Sequence, residues 1–82
     1  MNPQSSRSGT SLLIQDMQDL SRAVRTTRLR HGLKQSDLAG LSGTGLRFVG
    51  DLERGKDTVA LNKVMAVLNV LGLRIELVGA DG

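Results

Sequence analysis

The stretch SDLAGLSGTGLRFVGDLERG, residues 36–55, decides the fold of this 82-residue chain. Two short segments with apolar residues at helical spacing flank the sequence SGTG at residues 42–45. Neither segment is long enough to form a stable helix in water alone, because helix nucleation is costly. The pattern therefore predicts two short helices that are joined by a glycine turn and packed against each other.

The turn itself carries two local signals. Gly43 is expected to adopt a positive φ, which a tight turn needs and which glycine adopts without strain. Thr44 is expected to cap the next helix, with its hydroxyl accepting a hydrogen bond from a first-turn amide. The helix before the turn is predicted over about residues 35–41. Its expected inward residues are Leu38, Ala39 and Leu41.

Apolar residues at three- and four-residue spacing predict three further helices. The first begins at about Met17 and ends near His31 and Gly32. The helix after the turn covers about residues 45–54 and is expected to bury Leu46 or Phe48 together with Val49 and Leu52. The last helix covers about residues 60–71, and its apolar residues lie on more than one face: Leu61, Val64, Met65, Val67, Leu68 and Leu71.

The two ends of the chain differ in kind from the centre. Residues 1–11 are polar and predict a flexible tail, followed by one domain over residues 12–72. The apolar run at residues 12–14 either begins a helix or packs as an arm. Residues 73–78 alternate apolar and charged side chains and predict a strand, with a flexible C-terminus over residues 79–82. The predicted strand consists of Leu73, Arg74, Ile75, Glu76, Leu77 and Val78.

A single strand exposes unpaired amides and carbonyls, and nothing else in the sequence resembles a strand. We therefore expect it to pair with the same strand of a second chain across a two-fold axis. A homodimer would also cover the second apolar face of the last helix and would enlarge the small core.

The composition of the chain argues against several classes of function. The chain has no cysteine and one histidine, His31, so no metal site or cofactor is expected. The sequence contains no histidine pair, no glycine-rich phosphate loop and no convincing carboxylate pair, so we do not expect an enzyme. No run is long enough to span a membrane, and no signal peptide is recognisable, so we expect a cytoplasmic protein without a membrane partner.

Charge is uneven along the chain. Residues 1–34 contain six basic and two acidic side chains, whereas residues 35–82 contain five basic and six acidic ones. The pI of about 10.2 favours a polyanionic partner. A helix that projects from a glycine turn fits the major groove of B-DNA, although an ordinary helical hairpin in a bundle is the alternative.

The segment LKQSDLAGLSGTGLRFVGDLERGK, residues 33–56, resembles the XRE family of helix-turn-helix regulators, which includes the lambda-type phage repressors. With the flanking helices and the final strand, the resemblance extends over residues 20–78 and is strongest to HipB-type antitoxins. It implies an all-α, lambda-repressor-like helix-turn-helix domain of four to five helices, whose C-terminal β-strand pairs across a homodimer. It also implies repression of its own operon at palindromic double-stranded operator DNA and binding of a HipA-like serine/threonine kinase toxin.

The resemblance assigns roles to individual residues. The base-contacting positions are Gly45, Leu46, Arg47 and Asp51. Arg47 is the best reader of guanine, and we expect Asp51 to orient it rather than to contact cytosine. Gln35 matches the phosphate-anchoring glutamine of the family. Further expected phosphate contacts, named for their charge, are Lys34, Arg54, Lys56 and Lys63, although the last three could instead be solvated.

Arg28 and Glu53 are implied to form the internal ion pair of the family, joining the first helix to the end of the third. Two other functions stay open at this point. One is a stand-alone XRE-family regulator, and the other is a helical interaction module that does not bind DNA.

Overall fold

The computed structural model describes residues 11–80, and within them the chain folds into four α-helices and no β-strand. Residues 1–10 and 81–82, which contain most of the predicted flexible tail and part of the predicted flexible C-terminus, lie outside the described residues. The helices are α1 (Met17–Arg30), α2 (Gln35–Ser42), α3 (Leu46–Glu53) and α4 (Leu61–Val70). The longest of them has 14 residues, and none of the helices in residues 11–80 could cross a bilayer.

The four helices bury one small core. α2 packs against both α3 and α4, and α1 packs against α3. The core is almost entirely aliphatic, with a contribution from every helix and from the residue that follows α4. Its members are Val24, Leu38, Ala39, Val49, Leu52, Val64, Val67, Leu68 and Leu71. The predicted fold class is therefore confirmed, with four helices rather than five.

The turn between α2 and α3 depends on two glycines. Gly43 ends α2 with a φ of +70°, and its amide bonds to the carbonyl of Ala39, as a glycine C-cap does. Gly45 is the N-cap of α3, with a φ of 104° and a ψ of 152°, a backbone region that only glycine adopts readily. This pair of conformations separates the two helices within three residues.

The prediction that Thr44 caps α3 was wrong. The cap is Gly45, which has no side chain to accept from the first-turn amides. The hydroxyl of Thr44 instead lies 2.8 Å from the hydroxyl of Ser42, which also donates to the carbonyl of Leu38. The two hydroxyls therefore close the turn against α2.

The packing decides two expectations about burial. Leu41 was predicted to face inward but is exposed, because the short α2 directs only Leu38 and Ala39 into the core. Of the two alternatives on α3, Phe48 packs against the core and Leu46 is exposed. Leu46 is thus free to contact a ligand outside the domain.

The segments that flank the helices carry exposed apolar side chains. Residues 12–14 are not helical and lie beside α1 as an arm. In residues 73–78, predicted as a strand, no β-strand forms because no second strand lies beside them within the described chain. Leu73 packs against the core, whereas Ile75, Leu77 and Val78 are exposed. Pairing of this segment across a dimer stays a prediction.

Candidate nucleic-acid interface

One stripe of α3 faces away from the core. Val49 and Leu52 are fully buried, so residues at the complementary helical positions point outward. The outward stripe runs along Arg47, Asp51 and Arg54, which are three or four residues apart. Arg47 lies at the second position of α3 and is exposed. Among the ion pairs and side-chain hydrogen bonds of residues 11–80, none involves Arg47, so its guanidinium is available to a ligand.

The base of α3 is held by an internal ion pair. The guanidinium of Arg28 donates to Glu53 from Nε at 2.6 Å and from Nη2 at 2.9 Å. The side chains of Arg28 and Glu53 are only 9 % and 3 % exposed. The hydrogen bonds to Glu53 raise the pKa of Arg28, although burial acts in the opposite direction. This is the pair that the resemblance implied, and it joins α1 to the end of α3.

The same carboxylate also fixes the start of α2. The side-chain amide of Gln35 donates to Oε1 of Glu53 at 3.1 Å, and Arg28 additionally donates from Nη1 to the carbonyl of Leu33 at 2.8 Å. Arg28 of α1 and the first residue of α2 thus meet at Glu53, the last residue of α3, and Arg28 also holds the loop before α2. Sequence reasoning proposed Gln35 as a phosphate anchor but did not find this contact, since the two residues are 18 positions apart.

The glycine inside α3 has a steric reason. A Cβ at Gly50 would lie 3.2 Å from Nη1 of Arg54 and 4.0 Å from Oε1 of Gln35. The missing side chain leaves room for the Arg54 guanidinium to lie along α3. It also brings Gln35 and Arg54, two of the predicted phosphate contacts, to the same part of the surface.

Asp51 does not have the partner that we expected. In residues 11–80 it forms no ion pair with Arg47. Its Oδ1 accepts a hydrogen bond from Nη2 of Arg54, and its Oδ2 lies 3.5 Å from Nζ of Lys56. The expectation that Asp51 orients Arg47 was therefore wrong for the free chain, because the end of α3 supplies two nearer cations.

The remaining predicted phosphate contacts lie at the ends of helices. Lys34 is the exposed N-cap residue of α2, and its backbone amide donates to Asp37 at 2.8 Å. Lys63, in the first turn of α4, places its ammonium 5.8 Å from the ring centre of Phe48 on α3. This cation–π contact keeps the Lys63 charge close to α3. The sequence offered one clue to it, since Phe48 is the only aromatic residue of the chain.

The arrangement is suited to binding a polyanion. Within residues 11–80 no cluster of three or more acidic, histidine or cysteine residues could hold a metal ion. What the surface offers instead is a short helix with an exposed arginine near its N-terminus, flanked by Lys34, Gln35, Arg54, Lys56 and Lys63. Side chains of this kind can contact phosphates, and an arginine near the start of such a helix has the donors to bond base edges.

Two short helices that meet at a glycine turn, with the second presenting an outward stripe, define the helix-turn-helix class of DNA-binding regulators. Residues 24–78 match the profile of the family described as helix-turn-helix. Because this match covers more than half of the sequence, the chain belongs to that helix-turn-helix family, of the XRE type predicted above.

A curated relative supports the same class. The chain is 46% identical over 59 residues to the uncharacterized HTH-type transcriptional regulator y4mF of Sinorhizobium fredii (strain NBRC 101917 / NGR234). The alignment covers 72% of this chain and 78% of the relative.

Solved structures of HipB share the fold. A complex of HipB with an O4 20mer superimposes with a TM-score of 0.75 at 26% identity, over 83% of this chain and 96% of HipB. A HipA–HipB–O2–O3 complex gives a TM-score of 0.75 at 25% identity over the same shares. A complex of a substituted HipB with an O2 20mer gives a TM-score of 0.77 over 87% of this chain and 99% of HipB, at 24% identity, and so shows the fold alone.

Proposed function

We propose that this chain is a homodimeric, sequence-specific repressor that binds palindromic operator DNA and is the antitoxin of a HipBA-type module. In this proposal α3 of each subunit enters the major groove, and the dimer also binds a HipA-like serine/threonine kinase toxin. The regulator class follows from the family. The operator, the dimer and the toxin are the parts that the following observations support.

The position of Arg47 carries the proposal. It is exposed near the N-terminus of a helix whose opposite face is fully buried, and it has no ion-pair partner within residues 11–80. A guanidinium in such a place can bond guanine O6 and N7 together. Exposed Leu46 beside it can contact a thymine methyl group. Gly45 has no side chain with which to read a base and instead allows the backbone to approach the DNA closely.

Phosphate contacts would set the register of α3 on the duplex. Gln35 is held at the first position of α2 by Glu53, and its helix N-terminus has free amides that favour an anion. Lys34 and Lys63 are exposed near α2 and α3 and add positive charge. These contacts would supply most of the salt-dependent affinity.

Exposed apolar side chains support a second copy of the chain. Ile75, Leu77 and Val78 follow α4 without a place in the core, and Leu61 and Met65 of α4 are exposed as well. Pairing of residues 73–78 with the same residues of a partner would cover the backbone and these side chains together. A two-fold dimer would place its half-sites about 34–36 Å apart, one turn of B-DNA.

The toxin partner is supported by the HipA–HipB–O2–O3 complex, whose HipB has the same fold over most of both chains. A second candidate is a stand-alone XRE-family regulator. It is favoured by the S. fredii relative, which is named only as a transcriptional regulator.

Two measurements test the proposal. The first is titration of the chain into labelled duplexes that tile the DNA upstream of its own coding sequence, at two salt concentrations. A repressor binds one duplex preferentially and loses affinity steeply with salt. A chain that shows neither preference nor salt dependence would be the interaction module instead.

The second measurement separates the two regulators. The chain is purified with an affinity tag from cells that carry its native operon. An antitoxin retains a kinase-like protein at a fixed stoichiometry, whereas a stand-alone regulator is recovered without one.

A further inference from the structure

The carboxylate of Asp51 serves two cations at once. Its Oδ1 accepts from Nη2 of Arg54, and its Oδ2 faces Nζ of Lys56 at 3.5 Å. The Asp51 side chain is 17 % exposed, whereas those of Arg54 and Lys56 are 71 % and 50 % exposed. A mostly covered acid thus holds the charged ends of two surface residues, both of them predicted phosphate contacts.

The backbone builds this arrangement. At the end of α3 the amide of Lys56 donates to the carbonyl of Asp51 at 3.1 Å, and the amide of Gly55 donates to that of Leu52 at 3.1 Å. These two bonds form a Schellman turn, which returns the chain beside the last turn of the helix and brings Lys56 to Asp51. Arg54 reaches the same carboxylate from three residues further along, across the space that Gly50 leaves open.

An acid on the outward stripe of α3 repels DNA phosphates. Its charge also competes with phosphates for Arg54 and Lys56, because each cation must leave or share the carboxylate before it can neutralise DNA. When lysine and arginine neutralise DNA phosphates, the counterions of the DNA are released, and this release provides the sequence-independent part of the affinity. The base contact predicted for Arg47 does not depend on this carboxylate, since Asp51 does not pair with Arg47 in the described chain.

We propose that Asp51 is a specificity-determining positioning residue: it holds Arg54 and Lys56 in the free protein and thereby limits binding to DNA of unrelated sequence. This role rests on the proposed use of α3 and its flanking cations as the DNA-binding surface. Asp51 raises the ratio of operator binding to non-specific binding by lowering the non-specific affinity.

The test compares Asp51→Asn with the full-length parent chain. The probes are a labelled 20-base-pair duplex of unrelated sequence and the tightest duplex from the upstream tiling, each titrated from 50 to 300 mM salt. Asparagine keeps the shape of the side chain and removes its charge. We expect the affinity for the unrelated duplex to rise about fivefold at 150 mM salt. The salt slope, which is the slope of log affinity against log salt concentration, should steepen by about 0.9, the value of one added phosphate contact.

Asp19→Asn is the matched control. Asp19 also pairs with an arginine three residues away, Arg22, at 3.2 Å, and it loses the same unit of charge. It lies on α1 in a groove shared with Leu71 and Leu73 rather than with α3. We expect this variant to change the non-specific affinity less than twofold, so that the difference between the two variants measures the local effect.

A second comparison removes the cations. In a chain carrying Arg54→Gln and Lys56→Gln, the further change Asp51→Asn is expected to alter the salt slope no more than Asp19→Asn does. A full effect of Asp51→Asn in that background would overturn the proposal. Equal changes of non-specific affinity in Asp51→Asn and Asp19→Asn would overturn it as well. If Asp51→Asn lost affinity for the tightest duplex alone, Asp51 would be a base-contacting residue and the proposal would be wrong. A parent chain that binds no duplex would contradict the proposed function itself.

Discussion

The carboxylate of Glu53 and the guanidinium of Arg28 form a two-point ion pair across the domain, with donor–acceptor distances of 2.6 and 2.9 Å. Glu53 is the last residue of α3, and Arg28 lies in the last turn of α1. The contact from Gln35 to the same carboxylate adds the start of α2. The angle at which α3 projects is therefore tied to one buried charge pair.

Removing one charge of this pair is expected to destabilise the fold strongly. Glu53→Gln leaves the Arg28 charge buried without a counter-charge, which costs about 3–5 kcal/mol. Urea denaturation followed by circular dichroism measures the loss. Asp57→Asn, a change at an exposed acid outside the helices, is the control, with an expected effect within about 0.5 kcal/mol. A Glu53→Gln chain as stable as the control would show that the pair contributes nothing.

The raised pKa of Arg28 predicts how the stability contributed by this pair depends on pH. A raised pKa in the folded state means that the stabilisation is complete below the unfolded pKa of arginine and is lost only as pH rises through the folded pKa. We therefore expect the contribution of Arg28 to the free energy of unfolding to be constant between about pH 6 and 10. The measurement is the stability difference between the parent chain and Glu53→Gln at several pH values. A difference that falls away between about pH 8 and 10 would contradict it.

The turn glycine Gly45 is expected to resist substitution for a backbone reason. A Cβ at Gly45 would meet no atom within 4 Å, so crowding is absent and only its φ of 104° and ψ of 152° oppose a side chain. Gly45→Ala should cost about 1–3 kcal/mol. Gly40→Ala is the matched control, since Gly40 is helical, exposed and equally open, and it should gain about 0.4–1 kcal/mol. Equal stabilities for the two variants would refute the account of the turn.

Arg47 is expected to read bases. Arg47→Ala should reduce the affinity for the tightest upstream duplex by about 1–3 kcal/mol, because one two-point arginine–guanine contact is lost. The affinity for an unrelated duplex should fall much less. Arg25→Ala, which removes an exposed arginine of α1, controls for the loss of charge. If Arg47→Ala lowered both affinities equally, Arg47 would be a phosphate contact.

The exposed tail is expected to hold the dimer. Leu77 is 96 % exposed in the single chain, so Leu77→Asn removes nothing from the core. We expect this change to weaken dimerisation and to leave the helical content intact, as measured by sedimentation equilibrium and circular dichroism. Leu29→Asn, at another exposed leucine, should leave the association unchanged. A Leu77→Asn chain that dimerises like the Leu29→Asn chain would place the dimer interface elsewhere.

Much of the fold was predictable because it depends on short-range signals. The spacing of Val49 and Leu52 determined which side of α3 is buried, and Gly43 marked the end of α2. Leu41 showed the limit of this reasoning. The eight-residue α2 has apolar side chains on more than one side, and α3 and α4 do not cover them all. Only the packing of α2 against these two helices decides which of the side chains are buried.

The surface was less predictable than the core. The sequence by itself determined that a helix-turn-helix is present and that Arg47 lies near the start of its second helix, because both follow from periodicity and from glycine positions. Only the tertiary structure decided that Gln35 bonds to Glu53 and that Asp51 holds Arg54 and Lys56 rather than Arg47. The physical reason is that a charged side chain pairs with the nearest opposite charge in space, and spatial distance depends on how turns and helices pack.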